Sequence, residues 1–181
     1  VHNGCRDIFK PIQDIEKQQV RDNFSEGKPY FFYTGAIHPR KNIPRLIRAF
    51  DQFKMRTGAP VLLLLAGRFA WQTGEVRTAY EQVQSRADIR FLGYVPEADL
   101  ARLMASALAL TYVSLSEGFG LPVLEAMSCD TPVVAANAGS LPEVAGAAAL
   151  YVDPLSESSM AAGLEKIYAE PAFAQSLVEK G

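Results

Sequence analysis

The stretch LALTYVSLSEGFGLPVLEAM, residues 108–127, begins as an apolar run typical of a buried strand and continues through a turn into a helix. Gly118 and Gly120 free the backbone in the turn and let a ligand approach it closely. Pro122 stands where the helix would begin, a position that favours proline because its missing N–H would be unpaired there in any case. The free N–H groups and the positive end of such a helix form an anion site. The stretch therefore predicts a strand–turn–helix unit that binds an anion.

Two carboxylates, Glu117 and Glu125, bracket this turn. A carboxylate on either side would repel a bare phosphate, so we expect the two acids to bind hydroxyl groups instead. One carboxylate can accept hydrogen bonds from two vicinal hydroxyls at once, as a ribose offers. Phosphate and hydroxyls together indicate a nucleotide-sugar. Taken alone, each acid also has a simpler interpretation, Glu117 as an exposed loop residue and Glu125 as a favourable charge near a helix N-terminus.

Apolar strand-like runs alternate with amphipathic helical patterns along the chain, which predicts an α/β fold with a parallel sheet covered by helices on both faces. The predicted strands span residues 30–34, 61–66, 89–92, 108–113, 132–136 and 148–152. The predicted helices span residues 14–24, 43–53, 75–86, 98–105, 122–127, 142–145 and 156–168, and another begins at Pro171. Ligands bind outside the carboxyl ends of such strands. The loops expected there are 35–42, 67–74, 93–96 and 114–121.

The composition limits the class of protein. The chain has 181 residues, 49% of them hydrophobic and 21% charged, which suits one domain with a sizeable core. A net charge of −2 provides no general attraction to nucleic acid or to an anionic membrane. The longest strongly apolar run, residues 61–66, is far shorter than the ~20 residues of a membrane span. Cys5 and Cys129 form neither a disulfide framework nor a metal-ligand spacing, so we expect a reduced, cytoplasmic compartment.

The spacing of Glu117 and Glu125 resembles the Glu-x7-Glu signature of retaining glycosyltransferases of the GT-B fold, which have two Rossmann-like domains, and especially of the large family 4. Further segments resemble motifs of that family and occur in its order. These segments are residues 3–5 with 9–11, 35–42, 127–134 and 139–144. The resemblance covers nearly the whole chain. It implies a Rossmann-like parallel sheet, the C-terminal half of a GT-B fold.

The resemblance also implies a domain organisation and a function. Residues 1–11 would be the remnant of an interdomain linker, residues 12–181 would form the nucleotide-sugar (donor) binding domain, and the N-terminal acceptor domain would be absent. The implied reaction transfers a hexose from a nucleoside-diphosphate sugar to an acceptor hydroxyl in surface polysaccharide synthesis. Loops 39–42 and 67–71 resemble those of bacterial mannosyltransferases that use GDP-mannose, and UDP-sugars are the alternative donors. No metal or other cofactor is implied, and we expect the isolated domain to be inactive alone.

The implied partners are the sugar donor, an acceptor glycan or lipid-linked glycan bound through the missing domain, and that N-terminal domain itself. Nucleic acid is not among them. The implied location is the cytoplasm, and a peripheral association of the full enzyme with the inner face of the membrane stays open.

By resemblance, Lys41 and Glu117 carry the chemistry. Lys41 would meet the diphosphate as a compact point charge, and Glu117 would contact the hydroxyls of the donor sugar. Glu125 would bind the nucleotide ribose. Arg40 would either assist at the phosphates or face outward. Taken alone, Lys41 has a simpler interpretation as a solvated lysine at the start of a helix.

Backbone groups of two loops would complete the donor site. The turn before the signature helix would offer N–H groups to the diphosphate or sugar, and the loop after the third strand would contact the base. We expect the Phe119 ring to pack beneath its own loop rather than to stack on a ligand. The residues predicted to bind the donor in this way are Gly35, Gly93, Tyr94, Val95, Gly118, Phe119, Gly120 and Leu121.

Two positions depart from the family pattern. Ala36 stands where many relatives carry an arginine, so either Arg40 or Arg68 compensates or the site works with less positive charge. Asp130 replaces a common glycine, and we expect it to adopt the left-handed conformation that aspartate tolerates better than most residues. Trp71 has two equal interpretations, as a wall of the base site or as the cover of a loop.

Alternative functions stay open. The chain has no Asp-x-Asp motif of the metal-dependent glycosyltransferases and no Gly-x4-Gly-Lys-Ser/Thr loop of an ATPase. The chain also lacks the glycine fingerprint of a dinucleotide-binding oxidoreductase, because Val123 stands where the third glycine would be. A sugar-nucleotide epimerase of similar two-domain build and a non-catalytic nucleotide-sugar-binding domain both remain compatible with the motifs.

Overall fold

The structure is a computed structural model that describes residues 6–68 and 74–181. The expected linker motif at residues 3–5 and the two interpretations of Trp71 fall outside the described residues. The strands are β1 Tyr30–Thr34, β2 Leu62–Ala66, β3 Ile89–Gly93, β4 Ala109–Tyr112, β5 Val133–Ala136 and β6 Ala149–Val152. The α-helices are α1 Asp14–Ser25, α2 Ile43–Thr57, α3 Gly74–Gln82, α4 Glu97–Ser106, α5 Leu121–Ser128, α6 Leu141–Ala145, α7 Glu157–Ala169 and α8 Pro171–Val178.

The described strands form one parallel sheet in the order β3-β2-β1-β4-β5-β6. The chain runs outward from β1 to β3, crosses to β4 on the other side of β1, and then runs outward to β6. Because such crossovers are right-handed, α2 and α3 cover one face and α4, α5 and α6 cover the other. The packing agrees, since α2 contacts α3 and α7 while α4 contacts α1 and α5. The predicted α/β class with helices on both faces is confirmed.

The core lies between the sheet and these helices. All residues of β1 and β2 are buried, as expected for parallel strands covered on both sides. The apolar side chains of α2, which recur every three or four residues, are buried against the sheet. Aromatic rings fill the centre of this core. The Phe31 and Phe53 rings meet edge to face with centroids 5.5 Å apart, and Phe53 meets Tyr168 in the same way at 5.8 Å. Among the described residues no helix combines the length and the apolar character needed to cross a membrane.

One predicted helix ends early. The pattern predicts a helix over residues 75–86, but α3 ends at Gln82 and a 3₁₀ turn, Gln84–Asp88, follows. Ser85 leaves the helical conformation, with φ −84° and ψ 20°, and its backbone N–H donates to the buried Asp51 carboxylate at 2.8 Å. A contact with α2 therefore replaces the helical hydrogen bond that local propensity favours.

The reversal of strand order between β1 and β4 creates the crevice in which ligands bind in such sheets. The loops after β1, β2 and β3 are joined at this edge. The Gly35 N–H donates to Ala66 O at 3.0 Å, and the Gly67 N–H donates to Gly93 O at 2.8 Å. Gly67 approaches Gly35 so closely that an added Cβ would lie 1.8 Å from the Gly35 carbonyl oxygen.

We predict that Gly67→Ala lowers the free energy of unfolding by more than Gly58→Ala does. Both glycines have positive φ, +153° at Gly67 and +61° at Gly58, but a Cβ at Gly58 would meet nothing within 4 Å. Strain of about 1–2 kcal/mol is expected at a left-handed position such as Gly58, and the clash with Gly35 is added only at Gly67. Urea denaturation measures both losses. Equal losses would contradict the close approach of the two loops.

Candidate active site

Lys41 is held inward by the turn that follows β1. Residues Pro39–Lys41 form one 3₁₀ turn, and Asn42 closes it in the left-handed conformation with φ 62°. The Asn42 side chain donates to Val113 O at 3.0 Å and to Pro154 O at 2.7 Å, which ties the turn to the ends of β4 and β6. As a result the Lys41 side chain is only 9% exposed. The interpretation of Lys41 as a solvated surface lysine is wrong.

Lys41 forms an ion pair with Glu117, which follows β4 in the neighbouring loop. The Lys41 Nζ lies 2.5 Å from Glu117 Oε1, and the Glu117 side chain is 8% exposed. Burial acts to raise the pKa of Glu117, but hydrogen bonding to Lys41 and the lysine's positive charge hold that pKa below its ordinary value of 4.5. Glu117 is therefore a buried carboxylate that is ionised at neutral pH, not an exposed loop acid.

Tyr112, the last residue of β4, completes this cluster and was missed by the sequence analysis. Its hydroxyl accepts a hydrogen bond from Lys41 Nζ at 2.8 Å, and Nζ lies 4.9 Å from the centre of its ring. Tyr112 is 2% exposed. A tyrosine at the end of a buried strand needs a partner for its hydroxyl, and this requirement was the signal that could have found it.

Glu125 lies in α5 and faces the same crevice, with its side chain 10% exposed. Its Oε1 accepts from Arg6 Nη2 at 2.6 Å. The Arg6 guanidinium also pairs with Glu97 and lies over the Phe9 ring, 5.0 Å from its centre. The sequence analysis missed Arg6, because nothing in the local sequence indicates a partner so distant along the chain.

The turn between β4 and α5 presents the N-terminal end of the helix to the crevice. Gly120 immediately precedes α5 with φ 86°. In the first turn Pro122 has no N–H and the Val123 N–H donates to Gly120 O at 2.9 Å, so the Leu121 N–H is the one at this helix start without a partner inside the helix. Phe119 is 44% exposed, so the expectation that its ring packs beneath the loop is wrong. The buried Leu141 occupies that space, since its Cδ2 would lie 2.7 Å from a Cβ on Gly120.

The predicted base-binding residues lie around a cavity at the ends of β1, β2 and β3. Tyr94 and Val95 line this cavity of about 210 Å³ together with Gly35, and Gly93 precedes them with φ 67°. Tyr94 is 67% exposed, and the Arg68 guanidinium lies 4.8 Å from its ring centre. The remaining lining residues are Thr34, Ala36, Ala66, Gly67 and Leu100.

Arg40 faces outward at the rim of the crevice, yet its charge reaches the buried tyrosines. Burial and the nearby Glu117 raise the pKa of Tyr112, and Arg40 acts in the opposite direction. Arg40 therefore supplies positive potential near Lys41. Compensation for Ala36 by Arg40 or Arg68 stays a prediction.

Asp130 has φ 53°, which confirms its expected left-handed conformation.

A larger groove, of about 490 Å³, lies beside α2 and α3. Neither Glu117 nor Glu125 lines it, and its arginines are already engaged. Arg45 donates to Asn42 at 3.0 Å, and Arg48 pairs with Glu157 at 2.5 Å. By size alone this groove would be the favoured ligand-binding site. The buried charges and the helix N-terminus instead indicate the crevice between β1 and β4. The residues that line the groove are Pro39, Asn42, Pro44, Arg45, Arg48, Gly74, Glu75 and Thr78.

The sequence model of the glycosyl transferases group 1 family matches residues 14–181. The chain belongs to this family. Among curated relatives, this group 1 chain is 40% identical over 152 residues to O-antigen chain mannosyltransferase B of Escherichia coli, covering 83% of this chain and 40% of that protein. It is 32% identical over 142 residues to the O-antigen chain mannosyltransferase RfbU of Salmonella typhimurium, covering 78% and 39% respectively. The chain thus spans about 40% of the length of these two relatives.

Solved structures share the fold. The Anabaena protein Alr3699/HepE, crystallised with UDP and glucose, superimposes with a TM-score of 0.84 at 22% identity, over 97% of this chain and 49% of that one. The C-terminal domain of a group 1 glycosyl transferase, LpcC of Francisella tularensis, superimposes with a TM-score of 0.81 at 21% identity, over 96% and 91%. The predicted Rossmann-like fold of the GT-B glycosyltransferases is therefore confirmed.

We predict that the stability of this group 1 chain falls at acid pH partly through Glu117. A pKa that folding lowers contributes stability above the unfolded value, near 4.5, and that contribution is lost as the pH falls through the lower folded value. Glu117→Gln should therefore reduce the loss of unfolding free energy on acidification below pH 4.5. Glu179→Gln, at an exposed position directly after α8, is the control with the same change in charge. Urea titrations at several pH values give the slope of the unfolding free energy against pH for each variant. Identical slopes for the two variants would contradict the ion pair.

Proposed function

We propose that this chain is the donor-binding domain of a retaining glycosyltransferase that transfers a hexose from a nucleoside-diphosphate sugar to an acceptor hydroxyl. The observation that carries the proposal is the buried Lys41–Glu117 ion pair at the crevice, which comes directly before α5, the helix that carries the buried Glu125. A cation and free N–H groups suit a diphosphate, and carboxylates suit the hydroxyls of two sugars. The naming of curated relatives as O-antigen mannosyltransferases supports mannose as the hexose and surface polysaccharide as the product.

Each part of the donor has a place in this arrangement. The diphosphate would bind between Lys41 Nζ and the N–H groups of residues 118–121, with Arg40 adding positive potential from the rim. The base would enter the cavity beside Tyr94 and Val95. The ribose hydroxyls would bind Glu125, whose carboxylate offers two oxygens. Because Arg6 donates to one of those oxygens, the ribose either uses the other or replaces the guanidinium.

The proposed chemistry breaks the bond between the anomeric carbon and the diphosphate oxygen and forms a bond from that carbon to the acceptor oxygen. The acceptor oxygen attacks the anomeric carbon from the same face as the one from which the leaving group departs. The acceptor proton passes to the leaving phosphate. Lys41 and the helix N–H groups stabilise the negative charge that develops on the diphosphate. Donors that are already oriented toward developing charge commonly provide the largest part of catalysis. We propose that no metal is needed.

The domain organisation follows from the same proposal. Residues 12–181 would form the donor domain, and the similarity to a C-terminal domain over 91% of its length supports this. The acceptor would bind through an N-terminal domain, and the enzyme would work in the cytoplasm.

We predict that GDP or UDP raises the melting temperature of this chain in the presence of EDTA, and that ADP and NAD do not. A nucleotide at 100 times its dissociation constant adds about 2.7 kcal/mol. Lys41→Ala and Glu125→Ala should each reduce the shift, whereas Lys180→Ala, an exposed lysine at the C-terminal end, should leave it unchanged. A shift that requires magnesium would contradict metal-free binding, and no shift with GDP or UDP would contradict the donor site.

We predict that Glu117→Ala, introduced into the complete glycosyltransferase that contains this domain, lowers kcat by about 10²-fold through loss of sugar positioning. Affinity for the nucleoside diphosphate should be kept or increased, because Lys41 loses a competing carboxylate. Steady-state kinetics and calorimetry separate the two effects. Unchanged turnover would rule out the catalytic role of Glu117, and turnover of the donor sugar without an acceptor would favour the epimerase.

A further inference from the structure

Two tyrosines lie side by side beneath the Lys41–Glu117 ion pair. Tyr33 in β1 and Tyr112 in β4 stack with ring centres 6.4 Å apart and an angle of 18° between the planes. Both are buried, and the Tyr33 hydroxyl donates to Ala36 O at 3.2 Å. The stacked rings fix the position of the Tyr112 hydroxyl at the floor of the crevice.

The hydrogen bonds of the Lys41 ammonium group can be assigned one by one. A lysine has three N–H donors and no acceptor. One N–H donates to the Tyr112 hydroxyl at 2.8 Å and another to Glu117 Oε1 at 2.5 Å. Among contacts of the described residues, this leaves the third N–H for a ligand. The ammonium is therefore held from two directions, by one neutral partner and one charged partner.

The two partners respond differently to a bound diphosphate. Glu117 is negative and competes with the phosphate oxygens for the ammonium, and in the proposed reaction it also binds hydroxyls of the donor sugar. The Tyr112 hydroxyl does not compete in this way, because burial, together with the charge of Glu117 and a hydrogen bond to that carboxylate, raises its pKa and keeps it neutral. It can therefore hold Lys41 in place while Glu117 exchanges the lysine for the sugar.

We propose that Tyr112 is a positioning residue that keeps Lys41 Nζ directed at the diphosphate of the donor. The contact that carries this inference joins the Tyr112 hydroxyl to Lys41 Nζ within a buried site. The inference rests on the proposed donor-binding function. It implies that Tyr112 affects the binding of the diphosphate and not the binding of the nucleoside.

The test uses Tyr112→Phe, which keeps the ring beneath Lys41 and removes only the hydroxyl. Without this hydrogen bond the ammonium holds its productive position for only a fraction of the time, and the apparent affinity falls in proportion to that fraction, so we expect roughly 10-fold weaker binding of GDP or UDP by calorimetry. Binding of guanosine or uridine should not change. The control is Tyr30→Phe, since the Tyr30 hydroxyl is also buried and donates to Leu103 O at 2.8 Å, but at the other end of β1. That variant should lose stability without losing affinity.

A double-mutant cycle separates positioning from a general loss of structure. If Tyr112 acts through Lys41, Tyr112→Phe should weaken diphosphate binding much less in a Lys41→Ala background than in the wild-type chain. The inference is overturned if Tyr112→Phe binds diphosphates as the wild type does, weakens nucleoside binding equally, or adds its full effect to that of Lys41→Ala. Failure of the wild-type chain to bind any nucleoside diphosphate would overturn the donor function and this inference together.

Discussion

The buried ion pair between Lys41 and Glu117 is the interaction on which the site depends. Taking two charges out of water costs free energy that their attraction repays only with good geometry, and apolar residues of similar volume often serve folding equally well. Stability alone therefore gives a weak reason for placing this pair at the floor of the crevice. A ligand with both negative phosphates and hydroxyl groups gives a stronger one, because it can use each partner separately. Tyr112 provides the neutral contact that such an exchange requires.

The topology of the sheet brings the pair together. β1 and β4 are neighbours, with Phe31 opposite Ala109 and Phe32 opposite Leu110, although a long stretch of chain that includes β2 and β3 separates them. Lys41 follows β1 and Glu117 follows β4, so both side chains reach the crevice where the strand order reverses. The Asn42 side chain then ties the first loop to the ends of β4 and β6. The fold thus supplies the site, and the turn residues determine which side chains enter it.

Much of this arrangement could be predicted from local patterns. The strand at residues 30–34 has the predicted bounds, because a continuous apolar run is flanked by Pro29 and Gly35. Roles for Lys41 and Glu117 were implied by the resemblance to the family, but their direct contact joins residues 76 positions apart and has no local signature. The same reason applies to Arg6, whose partner in α5 is 119 positions away. The expectation for Phe119 failed because Leu141, from a different helix, fills the space beneath the turn.

The most direct test of the central claim is a crystal structure of this chain with GDP or UDP bound. A diphosphate oxygen within hydrogen-bonding distance of Lys41 Nζ, with the ribose hydroxyls on Glu125 and the base beside Tyr94 and Val95, is the predicted result. A nucleotide in the groove between α2 and α3, or a diphosphate that does not contact Lys41, would contradict the claim.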